Sequence, residues 1–262
     1  MLDRGMFLSA VTTKRPDLPL LVFLPGMDGS DLSLRQQSHG LSQNFDVRCF
    51  CIPQDDKTDW PDLVVQLIEL VHAEKLSRPN QTTYLCGESF GACLALKTVS
   101  HAPQLFERLI LINPASSFHR QVWSPLGAIA VKWLPGQTYQ LAAVGLLPFL
   151  ISFSRVSEDN RRALLCAMQA VTSETAAWRI ELLNTFKIDP TALTRFQGPT
   201  LLVASSADRL LPSVSEINRL SRLLPNTQTL TLANGSHACL LETDTQLNQL
   251  LDQVRFIPEA VA

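Results

Sequence analysis

Ser89 stands in Gly87-Glu88-Ser89-Phe90-Gly91, between the β-rich run Thr82-Thr83-Tyr84-Leu85-Cys86 and the helix-like run Cys93-Leu94-Ala95-Leu96-Lys97. A serine placed where a strand turns into a helix within a few residues is held in a strained backbone conformation with its hydroxyl exposed. Small residues at 87, 91 and 92 let a neighbouring chain pass close by. The helix start that follows offers its positive dipole end and the Phe90 N–H to developing negative charge. Such a serine is suited to attack on a carbonyl. A Gly-rich turn with no chemistry is the alternative. Only 11 glycines occur in 262 residues, and the strand and helix patterns lie on the correct sides of this pair, which argues against it.

A hydroxyl is a weak nucleophile until a base takes its proton, and the base needs a carboxylate to orient it. His237, in Asn234-Gly235-Ser236-His237-Ala238, and Asp208, in Ser205-Ser206-Ala207-Asp208-Arg209-Leu210-Leu211-Pro212, each follow a strand-like run. Reacting groups of open parallel sheets gather at the carboxyl ends of the strands, so Ser89, Asp208 and His237 are expected to converge. A tetrahedral oxyanion also needs two donors. Phe90 N–H is the first, and Met27 N–H, in the bend Pro25-Gly26-Met27-Asp28-Gly29, is expected to be the second; a tight turn without that duty is the alternative for this loop. Asp28 is assigned to holding the loop through its backbone, and Glu88 to a structural place on the other side of the turn. His72 and His101 fall in helix-like surface stretches. His39 and His119 could line a pocket, but solvated side chains are the plainer reading of both.

The elements that must position these residues can be read from periodicity. Leu20–Leu24 and Arg108–Asn113 are runs of the kind buried on both faces of a sheet. With a short strand over Met6–Val11, a strand at Val47–Ile52 and a helix opened by Asp59 and Pro61, the order up to Asn113 is β, α, β, α, β, which implies parallel strands with helices on both faces; further strands are expected at Thr200–Ser205 and Thr227–Ala233. Ser213 with Glu216, and Thr243 with Gln246, have the spacing of capping boxes for two further helices, the first running through Leu224. The alternation stops at Pro114 and resumes at Pro199. The expected division is therefore a core of 1–114 and 196–262 with a helical cap inserted at 115–195. Within it Leu141–Phe153 is very apolar. Pro148 interrupts it, Lys132 and Pro135 precede it and Arg155 follows, so it falls short of the ~20 apolar residues of a membrane span. A lid over an apolar pocket, able to touch a bilayer or lipid droplet, fits this stretch, with a plain buried helix as the alternative.

Net charge is −2 with a sequence pI near 6.2 and no basic cluster, which disfavours nucleic acid as a partner. A hydrophobic share of 46% and mean hydropathy of +0.10 suit an apolar substrate. The six cysteines fall mainly in apolar runs without metal-finger spacing, so reduced core thiols and an intracellular setting are expected, with no metal and no cofactor. The first seven residues carry an early acid and no sustained apolar region, and no signal peptide is expected.

With these residues in place, the sequence resembles the α/β-hydrolase superfamily, and more narrowly the esterase/lipase/thioesterase domain of the phytyl ester synthase group of plant plastids and cyanobacteria. The resemblance is carried by Leu24-Pro25-Gly26-Met27-Asp28-Gly29, Phe45-Asp46-Val47-Arg48-Cys49-Phe50-Cys51-Ile52-Pro53, Gly87 to Leu96, and Leu111-Ile112-Asn113-Pro114-Ala115-Ser116-Ser117-Phe118. It implies an α/β-hydrolase fold and movement of fatty acyl groups from lipid, acyl-CoA or acyl carrier protein through an acyl-Ser intermediate to phytol. It also implies a cytoplasmic place or one at a thylakoid or lipid-body surface. Plant members carry an additional acyltransferase-like region with a His-x4-Asp signature; no such motif occurs here, which leaves the Ser89 route. Two further readings stand beside acyl transfer to an isoprenoid alcohol. One is plain hydrolysis of long-chain esters or thioesters, and the other is a catalytically silent lipid-binding protein on the same fold.

Overall fold

The structure is a computed structural model that describes residues 5–79, 81–120 and 136–257. Seven strands form one sheet: β1 (Phe7–Ala10), β2 (Leu20–Leu24), β3 (Asp46–Cys51), β4 (Thr83–Glu88), β5 (Arg108–Ile112), β6 (Thr200–Ser205) and β7 (Thr227–Leu232). They lie in the order β1-β3-β2-β4-β5-β6-β7. β1 runs antiparallel to β3, and every other pairing is parallel. The crossovers carry α1 (Ser38–Leu41), α2 (Trp60–Leu76), α3 (Phe90–His101) and α8 (Ser213–Leu220), and α9 (Leu247–Gln253) follows the last strand. Between β5 and β6 the described chain is helical: α4 (Gly136–Leu150), α5 (Glu158–Ala170), α6 (Ser173–Asn184) and α7 (Pro190–Leu193). This is the α/β-hydrolase fold. Lys132 and Pro135, placed by the sequence before the apolar run, lie outside the described residues.

The sheet is covered on both sides, which is why its central strands read as unbroken apolar runs. All five residues of β2 are buried. Leu20, Val22 and Leu24 join the cluster under α2, α3 and α8, while Leu21 and Phe23 join the one under α1 and α9. A third cluster, with Leu32, Leu147, Ile151, Val156, Leu164, Ala238 and Leu241, packs α4 and α5 onto the chain that follows His237.

Both expected capping boxes are replaced by other bonds. α8 has Pro212 at its N-cap with no side-chain cap bond, because the Ser213 hydroxyl donates instead to the Asp208 carboxylate and Glu216 takes Ser116 and Arg219. A carboxylate is the stronger acceptor, and Pro212 moves the helix start one residue back from the expected box. α8 also ends at Leu220 rather than running through Leu224. α9 has Gln246 at its N-cap, again without a side-chain bond, while the Thr243 hydroxyl donates to the Arg155 carbonyl. By contrast Asp59 caps α2 as its sequence implies, accepting from Asp62 N–H at 3.2 Å.

The start of β3 is tied to the end of α2 by charge. The Asp46 carboxylate, wholly buried, accepts from Arg48 at 2.9 Å and pairs with Arg78 at 2.7 Å. Removing that carboxylate would leave two buried guanidinium groups sharing the partly exposed Glu74, at 3.6 Å from Arg48 and 3.2 Å from Arg78. We expect Asp46→Ala to lower stability by ~3–5 kcal/mol, read as a shifted urea midpoint at unchanged slope. A change below about 1 kcal/mol would contradict a buried, paired charge.

Candidate active site

β4 ends at Glu88 and α3 begins at Phe90, so the turn is made by Ser89 alone, at φ 53 and ψ −110. This backbone region is unfavourable for a residue with a Cβ. It is held by Ser89 N–H donating to Ile112 O at 2.9 Å and by Ala92 and Ala115 N–H donating to Ser89 O. The flanking glycines are required by contact: a Cβ on Gly87 would lie 2.5 Å from Gly91 O, and one on Gly91 would lie 2.0 Å from Leu24 O.

Ser89, Asp208 and His237 are brought together at the carboxyl edge of the sheet, beyond β4, β6 and β7. His237 Nε2 is 3.0 Å from Ser89 Oγ and Nδ1 is 2.8 Å from Asp208 Oδ2. The other carboxylate oxygen of Asp208 accepts from Leu210 and Leu211 N–H, both at 2.9 Å. With Ser213 and His237 on Oδ2, the acid has one bonded orientation. Such a row can draw a proton from a serine hydroxyl and return it to a leaving group.

The charges are tuned by burial and by each other. Burial pushes the Asp208 carboxyl up, but the neighbouring His237 and the bonds from Ser213 and Leu211 hold it below the ordinary carboxylate value. Burial pushes the His237 imidazole down, and the Asp208 and Glu88 carboxylates more than offset this, raising it above 6.5. Glu88 is nearer to events than its sequence position implies. Burial raises its carboxyl to about 7, against the bond from Ser33 and the field of His237. One of its oxygens has no hydrogen-bond partner.

The Met27 and Phe90 N–H groups donate to no acceptor among the described residues. Met27 follows β2 in a bend whose Asp28 accepts from Ser30 N–H at 3.2 Å, and Gly29 has φ 71 where a Cβ would meet Ile52 O at 2.6 Å. Arg179, on α6 and nearly fully buried, donates to Met27 O at 2.5 Å and to Pro53 O at 2.7 Å. Behind Phe90, its ring stacks on Trp60 with centroids 4.7 Å apart. His39 and His119 are exposed and belong to the surface. No group of three or more metal-ligating side chains is assembled among the described residues.

Three residues at this site escape a reading for nucleophile, base and acid: Asn113, Ser213 and Arg179. Asn113 sits at φ 43 just past β5. Its amide donates to Ser205 Oγ at 2.9 Å and to His237 O at 2.7 Å, while its carbonyl accepts from Ser205 N–H. A single side chain thus ties the ends of β5 and β6 to the histidine loop. The asparagine directly before a proline at a strand end was the available signal.

Comparison with known proteins places the chain in a hydrolase family. The hydrolase family described as serine aminopeptidase, S33, matches residues 39–244. Phytyl ester synthase 1, chloroplastic, of Arabidopsis thaliana is 31% identical over 91% of this chain. The chain spans 37% of the length of that relative. Monoglyceride lipase of Rattus norvegicus is 24% identical, over 75% of this chain and 65% of its own. Among solved structures, a thermophilic esterase from Thermogutta terrifontis superposes with a TM-score of 0.76 at 16% identity, covering 97% of this chain and 94% of that one.

The imidazole's position yields a direct check. Removing the Asp208 charge leaves burial as the dominant influence on the ring, so the sign of the shift must reverse. By NMR of the imidazole nitrogens, His237 should titrate above 6.5 in the native protein and below that value in Asp208→Asn. A ring that titrates alike in both would show that the 2.8 Å contact is not formed in solution.

Proposed function

This chain belongs to the α/β-hydrolase family of serine hydrolases, and on that footing we propose that it moves a long fatty acyl group from an ester or thioester donor to an isoprenoid alcohol such as phytol. The observation that carries the reading is the bonded row Asp208, His237, Ser89 beside two unpartnered backbone N–H groups.

His237 Nε2 takes the proton of Ser89 as Oγ bonds to the acyl carbonyl carbon. The Met27 and Phe90 N–H groups hold the oxyanion, where loss of one donor costs about 3 to 4 kcal/mol of barrier stabilisation. Asp208 keeps Nδ1 protonated and stabilises the imidazolium. That imidazolium then gives its proton to the departing alcohol or thiol, leaving acyl-Ser89. In the second half His237 deprotonates the acceptor alcohol, which attacks the acyl carbonyl and releases Ser89.

Similarity to a phytyl ester synthase supports phytol as acceptor. Water is the acceptor in the second reading, plain hydrolysis, which the likeness to a monoglyceride lipase favours. Incubation with acyl-CoA or galactolipid, with and without phytol, followed by lipid mass spectrometry, separates the two. We expect phytyl ester from the native protein and none from Ser89→Ala; free fatty acid alone in the presence of phytol would establish hydrolysis. Equal phytyl ester from both would remove Ser89 from the chemistry. A protein that an active-site serine phosphonate does not label would instead be a silent lipid binder.

Supply of the donor from a lipid surface is part of the same proposal. On α4 and just beyond it, Leu141, Val144, Leu146, Phe149 and Phe153 are exposed, Leu141 at 71%, and α4 has no charged residue. Arg209 and Arg161 lie beside this face, the first donating to Pro148 O and the second stacked over the Phe153 ring. No helix among the described residues is long and apolar enough to cross a membrane, so contact would be peripheral. Each such side chain inserted into lipid contributes about 1.5–3 kcal/mol. Phe149→Glu should therefore reduce sedimentation with anionic phospholipid vesicles by tenfold or so while leaving turnover of a soluble short-chain ester intact. Unchanged sedimentation would overturn the docking.

A further inference from the structure

We propose that Arg155, in the helical segment between β5 and β6, is a positioning residue for His237, acting through the buried carboxylate of Glu242. This rests on the reading of His237 as the base at Ser89 and assigns to the inserted segment a part in the chemistry.

The loop that carries His237 has no regular structure of its own between β7 and the 3-10 turn Cys239–Leu241. Something must therefore hold the imidazole between Ser89 and Asp208. On the residue before it, Ser236, both N–H and hydroxyl donate to Glu242 Oε1, the N–H at 2.8 Å. On the residue after it, Ala238 N–H donates to Leu150 O, the last residue of α4, at 2.9 Å. Asn113 holds the His237 carbonyl from the sheet side. The imidazole is thus flanked by three anchors, and two of them run to the inserted segment.

Glu242 is fully buried, and a carboxylate so placed is unstable unless its lone pairs are filled and its charge is met. Arg155 does both: its Nε and one terminal nitrogen each lie 2.9 Å from Glu242 Oε2, leaving Oε1 for Ser236. The backbones are joined as well, by Thr243 N–H to Arg155 O at 2.8 Å and by a bridge between Val156 and Glu242. Asn160 of α5 donates to Leu241 O at 3.2 Å. Remove the guanidinium, and the buried carboxylate must find water or turn outward, which releases Ser236 and lets the histidine loop shift. A displacement of about 1 Å at a reacting group can lower a rate ~100-fold.

A cavity of about 240 Å³ runs along the clamp, lined by Phe149, Ile151, Arg155, Ala207, Arg209 and Ser236 among others. Arg155 forms part of its wall, so truncating that side chain would open the cavity toward Glu242, and this makes the proposal testable by replacement of the missing group.

The experiment measures turnover of a soluble short-chain ester by Arg155→Ala and Arg155→Lys, with and without methylguanidinium at concentrations that do not denature the native protein. Folding of each variant is checked by thermal melting. We expect kcat to fall by about 100-fold in Arg155→Ala with KM little changed, and methylguanidinium to restore much of it. Arg155→Lys, which keeps the charge but not the two-nitrogen grip, should lose less and gain little from the additive. A folded Arg155→Ala protein with native kcat, or one whose deficit lies in KM alone, overturns the proposal. If Arg155→Ala does not fold, Arg155→Lys decides: unaltered kcat there, together with unaltered kcat in Glu242→Gln, overturns it. The two readings fail separately. A native protein with no Ser89-dependent turnover removes the base assignment and the clamp together, whereas native turnover with indifferent variants removes the clamp alone.

Discussion

The contact on which the site depends is the one between Gly91 and the end of β2. Ser89 occupies left-handed backbone space, an arrangement that costs on the order of 1–3 kcal/mol and persists only where surrounding structure leaves no alternative. Here the constraint is steric and bonded at once. α3 lies so close to Leu24 and Pro25 that no side chain fits at 91, and Ser89 N–H is tied to β5 through Ile112. The same approach that forces the serine into its turn brings the Met27 bend alongside the helix start. Nucleophile and second donor loop are therefore placed by one packing event, and neither can move without the other.

Around that fixed point the charges are arranged so that each group's burial penalty is met by a neighbour. Asp208 and His237 would each be driven toward neutrality if buried alone; together the acid is held ionised and the imidazole is made a stronger base. Glu88, held by Ser33 with one oxygen left unpartnered, is the group that burial does move, up to about 7. The contrast explains why Asp208, with four donors converging on its two oxygens, can orient a histidine while Glu88, nearer the serine in sequence, cannot. Geometry and titration make the same selection between the two acids.

Much of this was legible from residue order because the signals are local. The strand, Gly-x-Ser-x-Gly turn and helix each announce themselves within a dozen residues, and buried parallel strands read as the unbroken runs at 20–24 and 108–112. The acid and base were legible because each stands alone after a strand. What could not be read were long-range bonds competing with local ones. Ser213 and Glu216 have the spacing of a cap, yet in the folded chain Ser213 finds Asp208 and Glu216 finds Ser116, partners that spacing cannot anticipate. Asn113, Arg179 and Arg155 were hidden for the same reason, since each acts on backbone or carboxylate brought near only by the fold.

On the proposed function, the inserted helices bear on which acceptor would receive the acyl group. An acyl-Ser89 intermediate would be chemically indifferent to water or alcohol, because His237 as the proposed base could deprotonate either, so the outcome would rest on which molecule reaches the carbonyl. Water is small and abundant; an isoprenoid alcohol must win by burial, at ~0.8 kcal/mol for each methylene removed from water. Such a gain is available only if the segment over the site stays closed and dry during the life of the intermediate. In this chain that segment is fastened by several bonds, among them those of Arg179 to the Met27 loop and of Arg155 to the histidine loop. A lid that swung freely would break these bonds. A segment that stays fastened and keeps water out is the condition under which, on the proposed function, an alcohol delivered from lipid would compete with water.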